Sequence, residues 1–478
     1  MPETLDTQTT TSLDHTSALE IRDHLIGIDA KVPLLDGRHV QYVNFDNAAS
    51  TPTFRPIADK VDEFLNWYSN VHRGTGFKSQ LSSWVFERAR DRIAEFVQAD
   101  LSEHIVIFTK NTTEAINKLA HRLGVRTGDV ILTTYMEHHS NELPWRAVGR
   151  VEHVGVDAEG RLDMEDLDRK LAQWGKQIRL VAITGASNVT GYINDYGLIA
   201  EKAHAVGAEI LVDAAQLVPH RPVQMGTKES PRHLDYLVFS AHKIYAPYGV
   251  GILVGTRDTF ERGDPDTVGG GTVDIVNLEE AYWTELPEKE EAGTPDIVGV
   301  VALAEAINMI ESIGWGRIIQ HEAELTAYAL QKLKEIDKVR IYGDADPANA
   351  ANRLGVIAFG VEGMPHSLLA AVLNYEYGIG VRSGCFCAHV YVKCLLGVSD
   401  EDARVMEQEI LSRDRSRLPG TVRISFGLYN SIEEVDRLIE AVTNIAAGKI
   451  AGEYILNKER GEYHPKGYDP DFGSYFSL

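Results

Sequence analysis

The sequence predicts an α/β protein: a large domain with a mainly parallel sheet covered by helices, followed by a smaller C-terminal α/β domain. Three observations predict it. Between about residues 40 and 255, short continuous apolar runs alternate with amphipathic helical stretches, the pattern of strands buried on both faces and the helices that cover them. Beyond Ile313 the alternation changes character, with new strands interleaved with helices. The 478 residues exceed what a single ordinary core organises. The expected division is an arm and helix over 1–38, a large domain over 39–308, a small domain over 309–450 and a tail over 451–478.

Taken in order, residues 1 to about 18 read as a frayed arm, and Leu19, Ile21, Leu25 and Ile26 mark a first helix. Residues 55–68 place Ile57, Val61, Phe64 and Leu65 on one helical face, and residues 82–97 do the same with Trp84, Ala89, Ile93 and Phe96. Strands are expected at 105–108, 130–132, 180–183, 209–212, 236–239 and 249–255. Residues 256–295, rich in Gly, Glu and Thr, read as loops, and 297–313 as a long helix. Strands at 339–342, 353–359 and 422–426, with helices near 320–335, 366–374 and 431–446, build the second domain. The tail after Gly452 is polar and Tyr-rich and has no clear period.

The formal net charge is −23, which argues against sequence-independent binding to nucleic acid or an anionic membrane. No apolar run reaches the ~18 residues needed to span a bilayer, and the acidic N-terminus has no signal-peptide pattern. The three cysteines, Cys385, Cys387 and Cys394, are too few for a disulfide framework. A cytoplasmic location is the expectation.

Ser240-Ala241-His242-Lys243 follows an apolar run. A lysine just past a buried strand stands where α/β proteins bind ligands, although a solvated surface lysine has the same local sequence. Asp213 ends the preceding strand-like run. A carboxylate there is costly unless paired, and a protonated pyridine nitrogen is one such partner; a helix cap is another reading. Asn111-Thr112-Thr113-Glu114 opens a helix after a strand, which suits a phosphate or an ordinary capping box. His138, in Met136-Glu137-His138-His139, could stack on an aromatic ring and relay protons. Adjacent histidines point apart and make a poor shared metal site, so no metal is expected. Arg423, inside the apolar run Val422-Arg423-Ile424-Ser425-Phe426, needs an anionic partner.

In this order the motifs resemble the class V aminotransferase family of fold-type I pyridoxal-phosphate (PLP) enzymes, and within it the cysteine desulfurase and selenocysteine lyase branch. The resemblance spans about residues 40–447. It also rests on Asn44-Phe45-Asp46-Asn47-Ala48-Ala49-Ser50, Val71-His72-Arg73-Gly74, Ser187-Asn188-Val189-Thr190-Gly191, Asp213-Ala214-Ala215-Gln216 and Glu291-Ala292-Gly293-Thr294-Pro295. It implies that Lys243 carries PLP as a Schiff base, Asp213 pairs with the pyridine nitrogen and Gln216 meets the phenolic oxygen. His138 stacks on the ring, and Thr112, Thr113, Ser240 and His242 hold the phosphate. Thr294 reaches the phosphate of a neighbouring subunit, which implies a homodimer with shared sites. Asn188 and Arg423, with Arg382 nearby, hold the substrate carboxylate.

Arg382-Ser383-Gly384-Cys385-Phe386-Cys387 fits the family's Arg-x-Gly-x-x-Cys pattern, and makes Cys387 the nucleophile that takes sulfur from L-cysteine and leaves L-alanine. Other readings of the cluster are a compressed zinc site from Cys385, Cys387, His389 and Cys394, an inert thiol pair, and a redox pair in which Cys385 resolves Cys387. Gly-Cys-Phe-Cys, and the long stretch over 398–418, look more like the desulfurase domain of molybdenum cofactor sulfurases. Those proteins carry a further C-terminal domain for which this chain is expected to have no room, so the sulfur acceptor, protein or small molecule, is left open. The competing functions are another class V reaction (a selenocysteine or other C–S lyase, an aminotransferase or an epimerase) and a catalytically silent scaffold.

Overall fold

The computed structural model describes residues 18–72 and 74–478. The expected arm over residues 1–17 and Arg73 of the Val71-His72-Arg73-Gly74 motif lie outside them.

A seven-stranded sheet forms the centre of the large part. Its strands are β1 (His104–Thr109), β2 (Val130–Thr134), β3 (Arg150–Val154), β4 (Ile178–Thr184), β5 (Glu209–Asp213), β6 (Tyr236–Ser240) and β7 (Gly251–Thr256). The spatial order is β1-β7-β6-β5-β4-β2-β3. β7 runs antiparallel to both neighbours, and all other pairs are parallel. The continuous apolar runs have a simple cause: successive side chains point to opposite faces, and each face has its own core. Val106, Phe108, Val181, Ile183, Ile210, Val212, Leu237 and Phe239 enter one core. Ile105, Ile107, Leu180, Ala182, Leu211, Tyr236 and Val238 enter the other.

The smaller part is built on β8 (Val339–Tyr342), β9 (Val356–Val361), β10 (Arg382–Gly384) and β11 (Thr421–Ser425), in the antiparallel order β8-β9-β11-β10. One face is packed: Ile357, Phe359, Val361, Val422, Ile424 and Phe426 meet Leu325, Leu369, Val372, Leu438 and Val442 from three helices. Val43 and Phe45, far away in sequence, complete this core. The alternation along β11 places Arg423 on the face opposite Val422 and Ile424, which is why an arginine sits in an apolar strand.

Several local expectations change. The helix Arg55–Leu65 buries Ile57, Val61 and Phe64 but leaves Leu65 at its exposed end, and Trp84 of the helix Phe77–Phe96 is also exposed. The 256–295 stretch is not all loop: it holds the short helix Arg257–Glu261 and a hairpin, Val273–Val276 with Ala281–Trp283. The tail forms a second hairpin, Tyr454–Asn457 with Glu462–Pro465. Residues Asp400–Leu411 of the long stretch before β11 are helical, capped by Ser399. Among the described residues, no single helix is long and apolar enough to cross a membrane.

Candidate active site

A cavity of about 400 Å³ opens at the C-terminal ends of the parallel strands, between the two sheets. It brings together Thr112, Thr113, His138, Asn188, Asp213, Gln216, Ser240, His242, Lys243, Arg382, Cys387 and Arg423. Of the expected site residues only Thr294 lies elsewhere. It lines a separate cavity with His72, Gly270, Gly271 and Pro295.

Each wall follows from an element. β5 ends at Asp213, whose Oδ1 accepts the Ala215 N–H at 3.0 Å. Burial pushes this carboxyl up from its ordinary value, and the Ala215 N–H and the Lys243 charge pull it back. β6 ends at Ser240, and a single 3₁₀ turn then presents Lys243. Burial dominates there and lowers the amine to about 8, with the Asp213 carboxylate opposing and Arg423 reinforcing the shift. His242 falls to about 4 through burial and the Lys243 charge.

The helix Thr112–Arg122 aims its N-terminus into the cavity. Asn111 caps it by accepting the Glu114 N–H at 2.9 Å. The Ser240 hydroxyl accepts the Thr112 N–H at 2.8 Å and lies 2.7 Å from Thr112 Oγ1. The close approach of helix and sheet depends on Gly251 of β7: a Cβ there would sit 2.3 Å from the Asn111 carbonyl carbon.

His138 follows β2. Its Nδ1 accepts the Ser140 N–H at 3.2 Å, so its hydrogen is on Nε2. Ser140 Oγ in turn lies 2.7 Å from Thr113 Oγ1. Burial, then the charge of Lys243, pushes this imidazole down to about 4, so it is neutral at physiological pH. Gln216 donates its amide to the Ala48 carbonyl at 2.6 Å.

The opposite wall is cationic. Arg423, 3% exposed, donates to the Asn188 carbonyl at 3.0 Å and to Asp46 Oδ1 at 2.9 Å. Its Nε is buried and has no hydrogen-bond partner among the described residues. Arg382 pairs with the other oxygen of Asp46 at 2.8 Å, so its charge is drawn to that carboxylate. The Asn188 side chain does not point at open space; it donates to the Phe386 carbonyl at 2.8 Å.

The cysteine loop has an unusual backbone. Phe386 and Cys387 are successive left-handed residues, with φ of 53° and 54°, a costly conformation for residues with a Cβ. Three contacts hold it: Asn188 on the Phe386 carbonyl, the His139 N–H on the Cys387 carbonyl at 2.7 Å, and the Arg423 guanidinium 4.9 Å from the Phe386 ring centroid. They leave Cys387 exposed at the cavity, while Cys385 is directed away, its thiol 3.0 Å from the Pro419 carbonyl. Burial pushes the Cys385 thiol up to about 11. Cys394 is exposed on the helix His389–Leu396. Among the described residues, the cysteines and His389 do not form a group close enough to share an ion.

Three participants had no role in the sequence reading. Asp46, inside a quoted motif, bridges the two arginines; a single charge in the otherwise uncharged run 43–50 was the available signal. Phe386 is a ring under a guanidinium, for which its sequence neighbours give no sign. Glu137, buried beside β4, accepts from Thr134, Thr184 and Asn141. Burial raises it to about 8, and nearby Asp213 adds to the rise.

The residues fit pyridoxal phosphate. A buried carboxylate that accepts the Ala215 N–H but, among the described residues, pairs with no side-chain donor suits a cationic ring nitrogen. A depressed lysine amine stands beside it, and a capped helix N-terminus with two threonines and a serine suits a phosphate. Fold and site together define a fold-type I PLP enzyme. The chain belongs to the class-V aminotransferase family, whose model matches residues 43–438.

Within that family it is similar to cysteine desulfurases. It is 34% identical to the cysteine desulfurase of Haloferax volcanii over 435 residues, 88% of this chain and 94% of the relative. It is 35% identical to a probable cysteine desulfurase of Halalkalibacterium halodurans over 84% of this chain and 92% of the relative. Among solved structures, the apo cysteine desulfurase of Thermococcus onnurineus NA1 superposes with a TM-score of 0.74 at 35% identity, covering 85% of this chain and 95% of that one. The Escherichia coli cysteine desulfurase CsdA, as its S-sulfonic acid, gives 0.73 at 27% identity, covering 91% and 100%.

Proposed function

We propose that this chain is a PLP-dependent cysteine desulfurase in which Cys387 takes the sulfur. One observation carries the reading: Cys387, held in a left-handed turn, lines the same cavity as Lys243 and Arg423. Similarity to cysteine desulfurases over most of the chain supports it.

Bound in the cavity, pyridoxal phosphate supplies an electron sink for bonds at the α-carbon of an amino acid. The chain's residues do the rest. Lys243, its amine lowered to about 8, would carry the cofactor and serve as a base. Asp213 would pair with the ring nitrogen and favour its protonated form. Thr112, Thr113, Ser240 and His242 would hold the phosphate, and Gln216 would serve the phenolic oxygen. His138, neutral, would lie against the ring and hold a proton at Nε2. Arg423, helped by Asn188 and Arg382, binds the carboxylate of L-cysteine. The Cys387 thiolate attacks the substrate sulfur, so an S–S bond forms as the Cβ–S bond breaks. The carbon fragment takes up protons and leaves as L-alanine, and the enzyme keeps a persulfide. That persulfide passes to an acceptor protein or small molecule. Thr294 belongs to the phosphate site of a second copy, which makes the active form a homodimer.

The test is to add L-cysteine and measure L-alanine and protein-bound persulfide together. Equal amounts in the first turnover are expected. Undiminished sulfide release by Cys387→Ser would mean that the thiol takes no part.

A further inference from the structure

The matched family region ends at residue 438, and the hairpin formed by Tyr454–Asn457 and Glu462–Pro465 lies beyond it. This tail is pinned at both ends. Before the hairpin, the Glu376 carboxylate of the helix His366–Tyr377 accepts the Ala451 N–H at 3.0 Å, the Gly452 N–H at 2.9 Å and the Tyr454 hydroxyl at 3.1 Å. Bonds to a charged acceptor are the stronger kind. After the hairpin, Tyr468 packs edge-on against Tyr375, with ring centroids 5.6 Å apart, and donates its hydroxyl to the Pro33 carbonyl at 3.2 Å.

The turn between the two strands lies against the segment that leads into β11. The Lys458 carbonyl accepts the Arg415 N–H at 2.8 Å, and the Glu459 carbonyl accepts the Arg415 guanidinium at 2.5 Å. Gly461 has a φ of 71°, where a side chain is strained. It also has no room for one: a Cβ would lie 2.9 Å from the Arg415 carbonyl oxygen and 3.2 Å from Leu418 Cδ1. The turn therefore fixes where Arg415 and Leu418 lie.

The same segment supports the cysteine loop. His366 Nε2 lies 3.1 Å from the Leu418 carbonyl oxygen and donates to it, because a carbonyl only accepts. The Pro419 carbonyl accepts the Cys385 thiol at 3.0 Å. Thr421 pairs with Gly384 in antiparallel register. Asn188, His139 and Arg423 hold the loop at Phe386 and Cys387, whereas this segment holds it at Gly384 and Cys385. Left-handed residues persist only where their surroundings over-determine them, and the hairpin stands behind one half of that restraint.

Taking Cys387 as the sulfur acceptor, as proposed above, we propose that the C-terminal hairpin is a positioning element for sulfur transfer. Through Gly461, Arg415 and Pro419 it fixes the loop that presents Cys387 to the substrate sulfur. Attack on that sulfur needs a near-attack geometry, which small displacements spoil. The residues expected to hold the cofactor are carried by the large sheet and its helices, so the effect falls on sulfur transfer and spares cofactor binding.

The test uses the full-length holoenzyme with Gly461→Ala, which drives a Cβ into Arg415, and Arg415→Ala, which removes a hydrogen bond without overpacking. The second keeps the test open if the first does not fold. With L-cysteine, the first-turnover rate of persulfide formation on Cys387 should fall roughly tenfold to hundredfold in the variants, with the PLP absorbance band unchanged. Cys385, whose half-buried thiol is slow to react, should be labelled severalfold faster by iodoacetamide, as read by peptide mass. Tyr468→Phe loosens the tail at the end remote from the turn. It should lower Tm and change neither rate. An unchanged persulfide rate or unchanged Cys385 labelling in the folded variants would overturn the proposal. So would equal effects from Tyr468→Phe, which would reduce the tail to general stability. A wild type that forms no persulfide would instead sink the role given to Cys387, and the labelling of Cys385 would still decide whether the hairpin holds the loop.

Discussion

Asp46 shows how much a single side chain arranges. It pairs with Arg423 at 2.9 Å and with Arg382 at 2.8 Å, one negative charge between two positive ones, so the wall proposed to take the substrate carboxylate is already ordered and keeps a net positive charge. Hydrogen bonds to charged groups contribute about 1.5–3 kcal/mol. Arg423→Lys loses the two-pronged geometry and should lower kcat/KM for L-cysteine by roughly tenfold to hundredfold while the PLP absorbance band persists; steady-state kinetics read this directly. Lys243 provides a second prediction at this scale. Its amine is lowered to about 8 from an ordinary value near 10.5. In protein stripped of cofactor the reactive neutral amine therefore increases up to about pH 8. The rate of PLP uptake should climb about tenfold per pH unit below that point and level off above it. The sign for stability follows the same shift. Between about pH 8 and 10.5 the unfolded chain holds a proton that the folded chain has released, so stripped protein should gain stability as pH rises through that window. Lys243→Met should flatten the trend in urea midpoints.

The cysteine loop shows the same dependence for a whole element. Its shape rests on contacts from three directions, and one of them is backbone. A Cβ on Gly420 would lie 2.6 Å from the Gly384 Cα and 2.7 Å from His366 Nε2, and Gly384 itself has a φ of 111°. Overpacking of this kind costs about 1–3 kcal/mol. Gly420→Ala should displace the loop and reduce persulfide formation on Cys387 while PLP remains bound. A selective loss of cofactor would contradict that. Gly251→Ala makes the opposite prediction. Its Cβ would strike the backbone at Asn111, so it should weaken PLP affinity first, as measured by cofactor release on dilution.

At the scale of the molecule, the two sheets are joined by buried charge. Glu322 of the helix Trp315–Lys334 pairs with Arg221 and with His220 at 2.8 Å, and it accepts the Gly355 N–H at 2.8 Å. Burial works against this carboxylate, but His220, Arg221 and the Gly355 N–H outweigh it and hold the group at about 2. A depressed carboxylate stabilises the fold above its unfolded pKa, and that stability is lost as pH falls toward the folded one. The contribution should therefore fade between about pH 4.5 and 2. Removing one partner of a buried pair costs about 3–5 kcal/mol, so Glu322→Ala should lower the denaturation midpoint sharply at pH 7 and much less near pH 3.

The sequence by itself determined six of the seven strands of the large sheet and almost all of the residues that line the cavity, because those strands are short apolar runs that announce themselves locally; the seventh, Arg150–Val154, is a partly exposed edge strand with polar and charged residues and escaped that reading. Lys243 and Asp213 were legible because strand ends are visible in one dimension. The hairpins within 256–295 and 451–478 were not, since their strands are short and largely exposed. Tertiary structure alone decided the partners. Asp46 and Arg423 are 377 residues apart, and no local pattern links a motif near the N-terminus to a strand near the C-terminus. The Arg-x-Gly-x-x-Cys pattern had already singled out Cys387, but how it is held at the cavity is tertiary: the left-handed turn at Phe386 and Cys387 rests on Asn188, His139 and Arg423. The grouping of His204, His233 and Asp235 arises in the same way, where a helix end and a strand start meet at the N-terminal end of the parallel strands. Periodicity records which way each side chain points, whereas charge pairing and ligand geometry depend on distances that exist only once the chain has folded.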